Sequence, residues 1–205
     1  MRGRFDFEII ARWIRPGSRV LDLGCGDGAL LALLQKEKQV RACGVDLNPE
    51  NLVAALRNGV NVLQFNLERG LSGIEDDAFD YVVMSLSLQT VHQTVPLLKE
   101  ILRVGHEAVV SFPNFGYRPH REAIAKGRMP VSKHLPYQWY NSPNVRFFTM
   151  ADFEALCVQE RIGILERLAF AEGKMVTGED PNLNSEIALY RLGRAHAPEQ
   201  GVGES

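Results

Sequence analysis

The stretch RVLDLGCGDGALLALL, residues 19–34, decides the fold class of this chain. It reads as a short apolar strand, a turn with glycine at every second position, and an apolar helix. Gly24, Gly26 and Gly28 leave the backbone of the turn bare, so that a ligand can touch the main chain. The start of the following helix adds free N–H groups and a partial positive charge. We therefore expect this turn to bind a ligand.

Strand and helix candidates alternate along most of the chain. The apolar strand candidates are residues 19–24, 40–47, 60–67, 79–87, 107–114, 164–171 and 184–192. The helix candidates are residues 5–14, 28–39, 49–59, 96–105 and 149–160. This alternation predicts an α/β fold with a doubly wound, mostly parallel sheet and helices on both faces. We expect one domain over residues 1–194 and a disordered tail over residues 195–205.

The composition narrows the function classes. The 205 residues are 45% hydrophobic and 23% charged, as in an ordinary globular protein. A net charge of -2 gives no overall attraction to nucleic acid or membranes, and we expect neither as a partner. The three cysteines form no C-x-x-C pair, which indicates the reducing cytoplasm. The histidines do not fall at metal-ligand spacing, so no metal site is predicted.

Two carboxylates narrow the chemistry of the expected ligand. Asp46 ends the second strand, 22 residues after Gly24, where a carboxylate can accept hydrogen bonds from ribose hydroxyls. A dinucleotide site reads G-x-G-x-x-G, whereas Gly28 comes one residue early. Asp22 stands two residues before the first glycine, where its charge would repel a pyrophosphate and attract an ammonium group. The charges therefore favour S-adenosylmethionine, which has an ammonium group and no phosphate, over NAD.

Residues 113–149, which we call the cap segment, differ in composition from the rest of the chain. They hold five of the ten prolines and many of the aromatic residues. One anion, Glu122, accompanies six cations, which are Arg118, Arg121, Lys126, Arg128, Lys133 and Arg146. Interleaved arginines and aromatic residues are typical of protein–protein contacts and of carboxylate sites. We expect the segment to form an irregular cap over one end of the sheet and to bind a partner or substrate.

Three further residues have reactive side chains near the expected site. Cys25 precedes a helix start, where the pKa of a thiol can fall. Gln89 and His92 follow the fourth strand and could serve as hydrogen-bond donor or base. We favour the simpler interpretation for all three: a small residue in a tight turn, and two ordinary polar residues of a loop or helix surface.

The motifs together resemble a known family. VLDLGCGDG followed by GVDL is similar to motif I and its acidic follower in class I S-adenosylmethionine-dependent methyltransferases. The MetW family of methionine biosynthesis proteins has stretches similar to WIRPGSRVLDLGCGDGALL, GVNVLQFNLERGL, FDYVVMSLSLQTVH, SFPNFG and KGRMPVSKHLPYQWYNSPNVRFFT. This resemblance extends from about the first helix to the last strand and implies a Rossmann-like class I methyltransferase fold.

The resemblance implies a binding site for S-adenosylmethionine or S-adenosylhomocysteine. Asp22 and the glycine turn would hold the methionine part, Asp46 the ribose, and Asn66 with Leu67 the adenine. Related methyltransferases often have Asp where this chain has Asn66, whose carbonyl oxygen can still accept a hydrogen bond from the adenine amino group. The full implied set is Asp22, Gly24, Cys25, Gly26, Asp46, Leu47, Asn66, Leu67 and Ser85.

Two functions stay open at this point. The resemblance implies an auxiliary subunit that associates with and supports homoserine O-acyltransferase. The alternative is an active S-adenosylmethionine-dependent methyltransferase that acts on a small anionic metabolite. Methyl transfer needs no universal catalytic residue, so no catalytic residue is assigned. The expected substrate or partner contacts are Arg118, Arg121, Tyr137, Trp139 and Tyr140.

Overall fold

The computed structural model describes residues 5–195, and within this range eight strands form one sheet. The strands are β1 Arg19–Leu23, β2 Arg41–Asp46, β3 Val62–Gln64, β4 Phe79–Ser85, β5 Gly105–Pro113, β6 Ile162–Ala171, β7 Lys174–Met175 and β8 Ile187–Arg194. The helices are α1 Phe5–Trp13, α2 Ala29–Lys38, α3 Pro49–Arg57, α4 Thr94–Val104, α5 Arg118–Ala125, α6 Met150–Gln159 and α7 Pro181–Asn184. Two 3₁₀ turns cover Leu67–Arg69 and Leu88–Thr90.

The sheet has the order β3-β2-β1-β4-β5-β8-β6-β7. Strands β1 to β5 are parallel, whereas β8 runs antiparallel to both β5 and β6. The predicted doubly wound, mostly parallel sheet is therefore confirmed. The strand order reverses between β1 and β4, and in such sheets ligands bind in the crevice beyond the carboxyl ends of the strands at that point. The glycine turn after β1 lies at this crevice.

Alternate residues of the strands build two apolar layers, one on each face of the sheet. Val83 of β4 packs with Ile10 of α1 and Leu31 of α2 on one face. Val82, its neighbour in the strand, packs with Ile101 of α4 on the other. Because both faces are buried, the strands read as continuous apolar runs, and the sequence pattern identified them for this reason.

Several element boundaries differ from the predicted ones. Helix α4 begins at Thr94 rather than at Pro96. Pro96 lies in the first helical turn, where a backbone N–H has no intrahelical partner, so the helix can begin before the proline. Strand β3 ends at Gln64, since Asn66 caps a 3₁₀ turn. The cap segment, expected to be irregular, contains the helix α5. The predicted disordered tail lies, from residue 196 onward, outside the described residues.

Among residues 5–195, every helix is too short or too polar to cross a membrane.

Gly44 of β2 keeps the glycine turn close to the sheet. A Cβ atom at this position would lie 2.6 Å from the Sγ of Cys25 and 3.2 Å from the Cδ1 of Leu31. Burial, helped by the negative charges of Asp22 and Asp46, raises the pKa of the Cys25 thiol to about 12. The thiol is therefore protonated at neutral pH and fills the space above Gly44, which supports the small-residue interpretation of Cys25.

We expect Gly44→Ala to lower the free energy of unfolding by about 1–3 kcal/mol, because the added methyl group overpacks the contact with Cys25. Urea titration of the purified protein measures this change. The matched control is Gly73→Ala, since a Cβ at Gly73 meets nothing within 4 Å in the described structure. An equal effect of the two substitutions would contradict the packing argument.

Candidate functional site

The glycine turn is fixed to the neighbouring strand by its own backbone. The N–H groups of Gly24 and Cys25 both donate to the carbonyl oxygen of Val45, at 2.9 and 3.0 Å. Gly24, Gly26 and Gly28 have φ angles of +77°, +56° and +72°, in the left-handed region that favours glycine. A Cβ at Gly26 would meet no atom within 4 Å in the described structure. The backbone of Gly26 therefore faces open space, as a turn that contacts a ligand requires.

Asp46 holds this turn to the start of α3. Its Oδ2 accepts from the N–H of Gly26 at 2.9 Å. Its Oδ1 accepts from the N–H of Asn48 at 2.8 Å and from the Nδ2 of Asn51 at 3.2 Å. A carboxylate has about four acceptor positions, so one remains for a ligand hydroxyl. Asp46 thus lies at the end of β2, with both a structural role and spare acceptor capacity.

Asp22 brings a second negative charge to the same end of the sheet. It is the fourth of the five residues of β1, paired in register with Gly44 and Val83 of the two neighbouring strands. Only 3% of its surface is exposed. Asp22 near the end of β1 and Asp46, which is bound to the Gly26 N–H, place two carboxylates and their negative field beside the glycine turn. Such a field suits a cationic group better than a phosphate.

Asn66 and Leu67, the residues expected beside adenine, lie at the start of the first 3₁₀ turn, just after β3. Asn66 caps the first 3₁₀ turn, and its Oδ1 accepts from the N–H of Glu68 at 3.0 Å. This side-chain oxygen, the predicted acceptor for the adenine amino group, therefore already accepts one hydrogen bond. Leu47 is 60% exposed at the end of β2, whereas Leu67 packs against the core. Leu47 offers the apolar surface that a planar base would cover.

Ser85 and Ser87 lie at the end of β4 and have different roles. The hydroxyl of Ser85 donates to Oδ2 of Asp6 in α1 at 3.1 Å and lies 3.3 Å from Ser111 Oγ. Ser85 thus lies at the predicted strand end, and its hydroxyl joins the strand to α1. Ser87 Oγ donates to the carbonyl oxygen of Leu23 at 2.9 Å, beside the glycine turn. Sequence reasoning missed Ser87, because the alternation of SLS does not tell which hydroxyl faces the turn.

Gln89 and His92 connect parts of the chain. Gln89 is buried, and its Nε2 donates to the carbonyl oxygen of Leu86 at 2.7 Å. His92 is exposed, with its Nδ1 3.0 Å from Oε1 of Glu68. Hydrogen bonds from the backbone and ring of His92 lower the pKa of Glu68 despite its partial burial. His92 therefore fits the simpler interpretation of an ordinary polar surface residue, whereas Gln89 is buried.

The cap segment exposes a group of aromatic side chains. Trp139 and Tyr140 are 76% and 70% exposed, and their rings pack edge to face at 5.7 Å. Arg118 is exposed without a contact in the described structure, whereas Arg121 donates to the carbonyl oxygen of Gly116. A cavity of about 320 Å³ lies beneath the aromatic group. Its lining includes Phe115, Pro130, Leu135, Tyr137, Trp139 and Phe147.

Two buried polar groups fix the cap segment to the sheet. Asn114, at the end of β5, donates through Nδ2 to the carbonyl oxygens of Asn182 and Ser185, at 2.8 and 2.9 Å. Glu186, just before β8, accepts from Ser132 Oγ at 2.8 Å, and its other oxygen lies 2.9 Å from His134 Nδ1. No sequence pattern predicts these contacts, because their partners lie far apart along the chain.

The sheet order and the glycine turn with its acidic neighbours define the class I S-adenosylmethionine-dependent methyltransferase fold. A crystal structure of an S-adenosylmethionine-dependent methyltransferase from Mesorhizobium loti superposes with a TM-score of 0.70 at 17% identity, covering 94% of this chain and 99% of the other. The structure of the [4+2]-cyclase SpnF superposes with a TM-score of 0.67 at 15% identity, covering 93% and 81%. At such low identity, these likenesses show the fold alone.

The family described as methionine biosynthesis protein MetW matches residues 4–192, and the chain belongs to this family. It is 39% identical over 202 residues to the bifunctional methionine biosynthesis protein MetXA/MetW of Rhodopirellula baltica, covering 92% of this chain and 32% of that protein. It is 34% identical over 144 residues to ribosomal protein L11 methyltransferase of Thermus thermophilus, covering 66% and 55%. The chain thus spans about a third of the first relative and about half of the second.

The pKa of Glu186 makes the attachment of the cap segment sensitive to acid. Burial opposes ionisation, but hydrogen bonds from His134 and Ser132 outweigh it and lower this pKa from 4.5 to about 2. Because the folded pKa is the lower one, the ionised carboxylate stabilises the fold above about pH 4.5. This stabilisation is lost as the pH falls from about 4.5 toward about 2.

We expect Glu186→Gln to lower the free energy of unfolding at pH 7 by roughly 2–3 kcal/mol. The difference from the unsubstituted chain should shrink as the pH is lowered to about 3. Urea titrations across this range measure both effects. Glu37→Gln, an exposed position on α2, serves as the control. A difference that stays constant with pH would contradict the assigned role of the carboxylate.

Proposed function

We propose that this chain binds S-adenosylmethionine or S-adenosylhomocysteine and acts as an auxiliary subunit of homoserine O-acyltransferase. The observation that carries the ligand part is the bare backbone of Gly26, held open by Asp46. Asp46 retains acceptor capacity for ribose hydroxyls. When bound, S-adenosylmethionine would supply an activated methyl group at this crevice.

Charge supports this ligand over a dinucleotide. Asp22 and Asp46 both act on Cys25 in the glycine turn, so a pyrophosphate placed against the turn would meet two negative charges. The ammonium group of the methionine moiety would be attracted by the same field. In addition, the third glycine, Gly28, packs closely on the α3 region. A Cβ atom at Gly28 would lie 3.0 Å from the Cβ of Ala55 and 3.1 Å from the Cγ2 of Val60. Gly28 therefore serves the contact between α2 and α3.

The partner part of the proposal is supported by the family and by the cap segment. The Rhodopirellula baltica relative bears a name that joins MetXA and MetW in one chain. Large exposed aromatic residues dominate the energetics of protein interfaces, and Trp139, Tyr140 and Tyr137 form such a group. Prolines on both sides restrict the segment, which lowers the entropy lost on docking.

A second candidate function is methyl transfer to a small anionic metabolite. The cavity lined by Phe115 and Trp139 supports an acceptor with an apolar part, and the excess of cations in the cap segment supports an anion. Against it, Gln89 and His92 are engaged in holding the loop after β4. Release of S-adenosylhomocysteine from S-adenosylmethionine in a metabolite extract tests this function. Sustained release that depends on both extract and protein would favour the enzyme over the subunit.

The ligand is tested by calorimetry with purified protein. We expect S-adenosylhomocysteine to bind at sub-millimolar concentration and NAD not to bind. Asp46→Asn should weaken binding by about 1–2 kcal/mol, because an amide has one acceptor oxygen in place of the two that hold Gly26 and Asn48 and leave a position for a ribose hydroxyl. Glu37→Ala, on the exposed side of α2, should leave the affinity unchanged. Binding of NAD in place of S-adenosylhomocysteine would contradict the proposed identity of the ligand.

The partner is tested by co-purification with homoserine O-acyltransferase and by its acyl transfer rate with and without this chain. We expect Trp139→Ala to weaken the association by more than about 1 kcal/mol, as for an interface anchor. Val158→Ala, at a position 79% exposed on α6, is the control and should have no effect. If the acyltransferase neither binds nor changes its rate, the subunit proposal is lost.

A further inference from the structure

The loop after β4, residues 86–93, lies between the glycine turn and the cap segment. We call it the bridging loop. On the ligand side, Ser87 packs on the turn, since a Cβ at Gly24 would lie 3.0 Å from the Cβ of Ser87. On the other side, the carbonyl oxygen of Gln89 accepts from the N–H groups of Val145 and Arg146, at 2.9 and 3.0 Å. The bridging loop therefore touches both functional regions.

Glu68 ties the far end of the bridging loop to the residue expected beside adenine. Its Oε1 accepts from the N–H of His92 at 2.7 Å, and its Oε2 accepts from the N–H of Gln93 at 3.3 Å. The N–H of Glu68 itself donates to Oδ1 of Asn66 at 3.0 Å. Two hydrogen bonds, one between Asn66 and Glu68 and one between Glu68 and His92, thus connect Asn66 with the backbone of the bridging loop.

Arg146 continues this chain of contacts into the cap segment. Its guanidinium donates to the carbonyl oxygen of His92 at 2.6 Å. The carbonyl oxygen of Gln89 thus accepts from both Val145 and Arg146, and that of His92 accepts from Arg146 alone. Contacts from Asn66 to Arg146 therefore form one continuous series, with Glu68 and His92 as its middle members.

The bridging loop begins at a strained residue. Leu86 has a φ angle of +54°, in the left-handed region that a leucine rarely occupies. Its N–H is held by both the carbonyl oxygen and the Oγ of Ser111, each at 3.0 Å. Strained backbone persists only where surrounding contacts over-determine it, and it is concentrated at clamps and switches. The conformation of this loop therefore depends on the contacts at its two ends.

We propose that Glu68 is a positioning residue that couples the adenosine end of the ligand site to the cap segment through the bridging loop. The proposal rests on the proposed function for the identity of the ligand. A ligand that orders Asn66 and Glu68 fixes the loop backbone, and with it the carbonyl oxygens that hold Val145 and Arg146. Coupling of this kind requires the ligand to favour one arrangement of the cap segment over another.

Hydrogen–deuterium exchange of the whole chain, with S-adenosylhomocysteine as the probe, tests the coupling without the partner. We expect saturating S-adenosylhomocysteine to slow amide exchange at Val145 and Arg146 by about fivefold or more, within the range of coupled sites. Glu68→Ala should abolish this slowing while S-adenosylhomocysteine still binds. Glu68→Gln should restore part of it, because its carbonyl oxygen can accept from the N–H of His92.

The controls separate this proposal from the proposed function. Glu37→Ala should keep the full slowing. Arg146→Ala should reduce it at Val145, because it removes the contact with His92 but keeps the bond from the Val145 N–H to Gln89. If Glu68→Ala keeps the slowing, or if S-adenosylhomocysteine binds without slowing exchange in the unsubstituted chain, the coupling is overturned and the proposed function stands. If S-adenosylhomocysteine does not bind at all, the proposed function fails and the coupling falls with it.

Discussion

The hydrogen bond from the Gly26 N–H to the Asp46 carboxylate is the interaction on which the ligand-binding edge depends. It joins the turn after β1 to the end of β2, while Asp46 also holds Asn48 at the start of α3. The backbone of the turn can stay exposed because its N–H groups already have partners: that of Gly26 donates to this carboxylate, and two others donate to the carbonyl oxygen of Val45. A turn of three left-handed glycines would otherwise lose too much entropy on ordering to keep one shape.

The cap segment depends on a different set of forces. Most of it lacks regular structure, so backbone ladders cannot hold it, and buried polar contacts take their place. Asn114 of the cap segment donates to Asn182 and Ser185 before β8, and Glu186 before β8 accepts from Ser132 of the cap segment. Both groups are satisfied by hydrogen bonds, which removes the large penalty for burying them. Because these polar contacts attach the cap segment, its aromatic side chains can stay exposed at the surface.

The fold is compatible with more than one activity. Neighbours that share it include proteins named as methyltransferases and one named as a [4+2]-cyclase. Function must therefore be argued from the site. Here the polar residues that follow β4 are used to hold the bridging loop, and the most exposed aromatic residues are those of the cap segment. This distribution is the basis on which a binding role is proposed for the chain.

The sequence by itself determined the parallel sheet, the glycine turn and the position of Asp46, because each depends on local pattern: apolar runs, left-handed glycines and the end of a strand. It also marked the cap segment by composition. It did not determine the contact of Ser87 with Leu23, or the Glu68–His92 and Glu186–His134 pairs. Only the tertiary structure decided these contacts, because they join residues that are distant along the chain, and no periodicity or spacing records which distant side chains will meet.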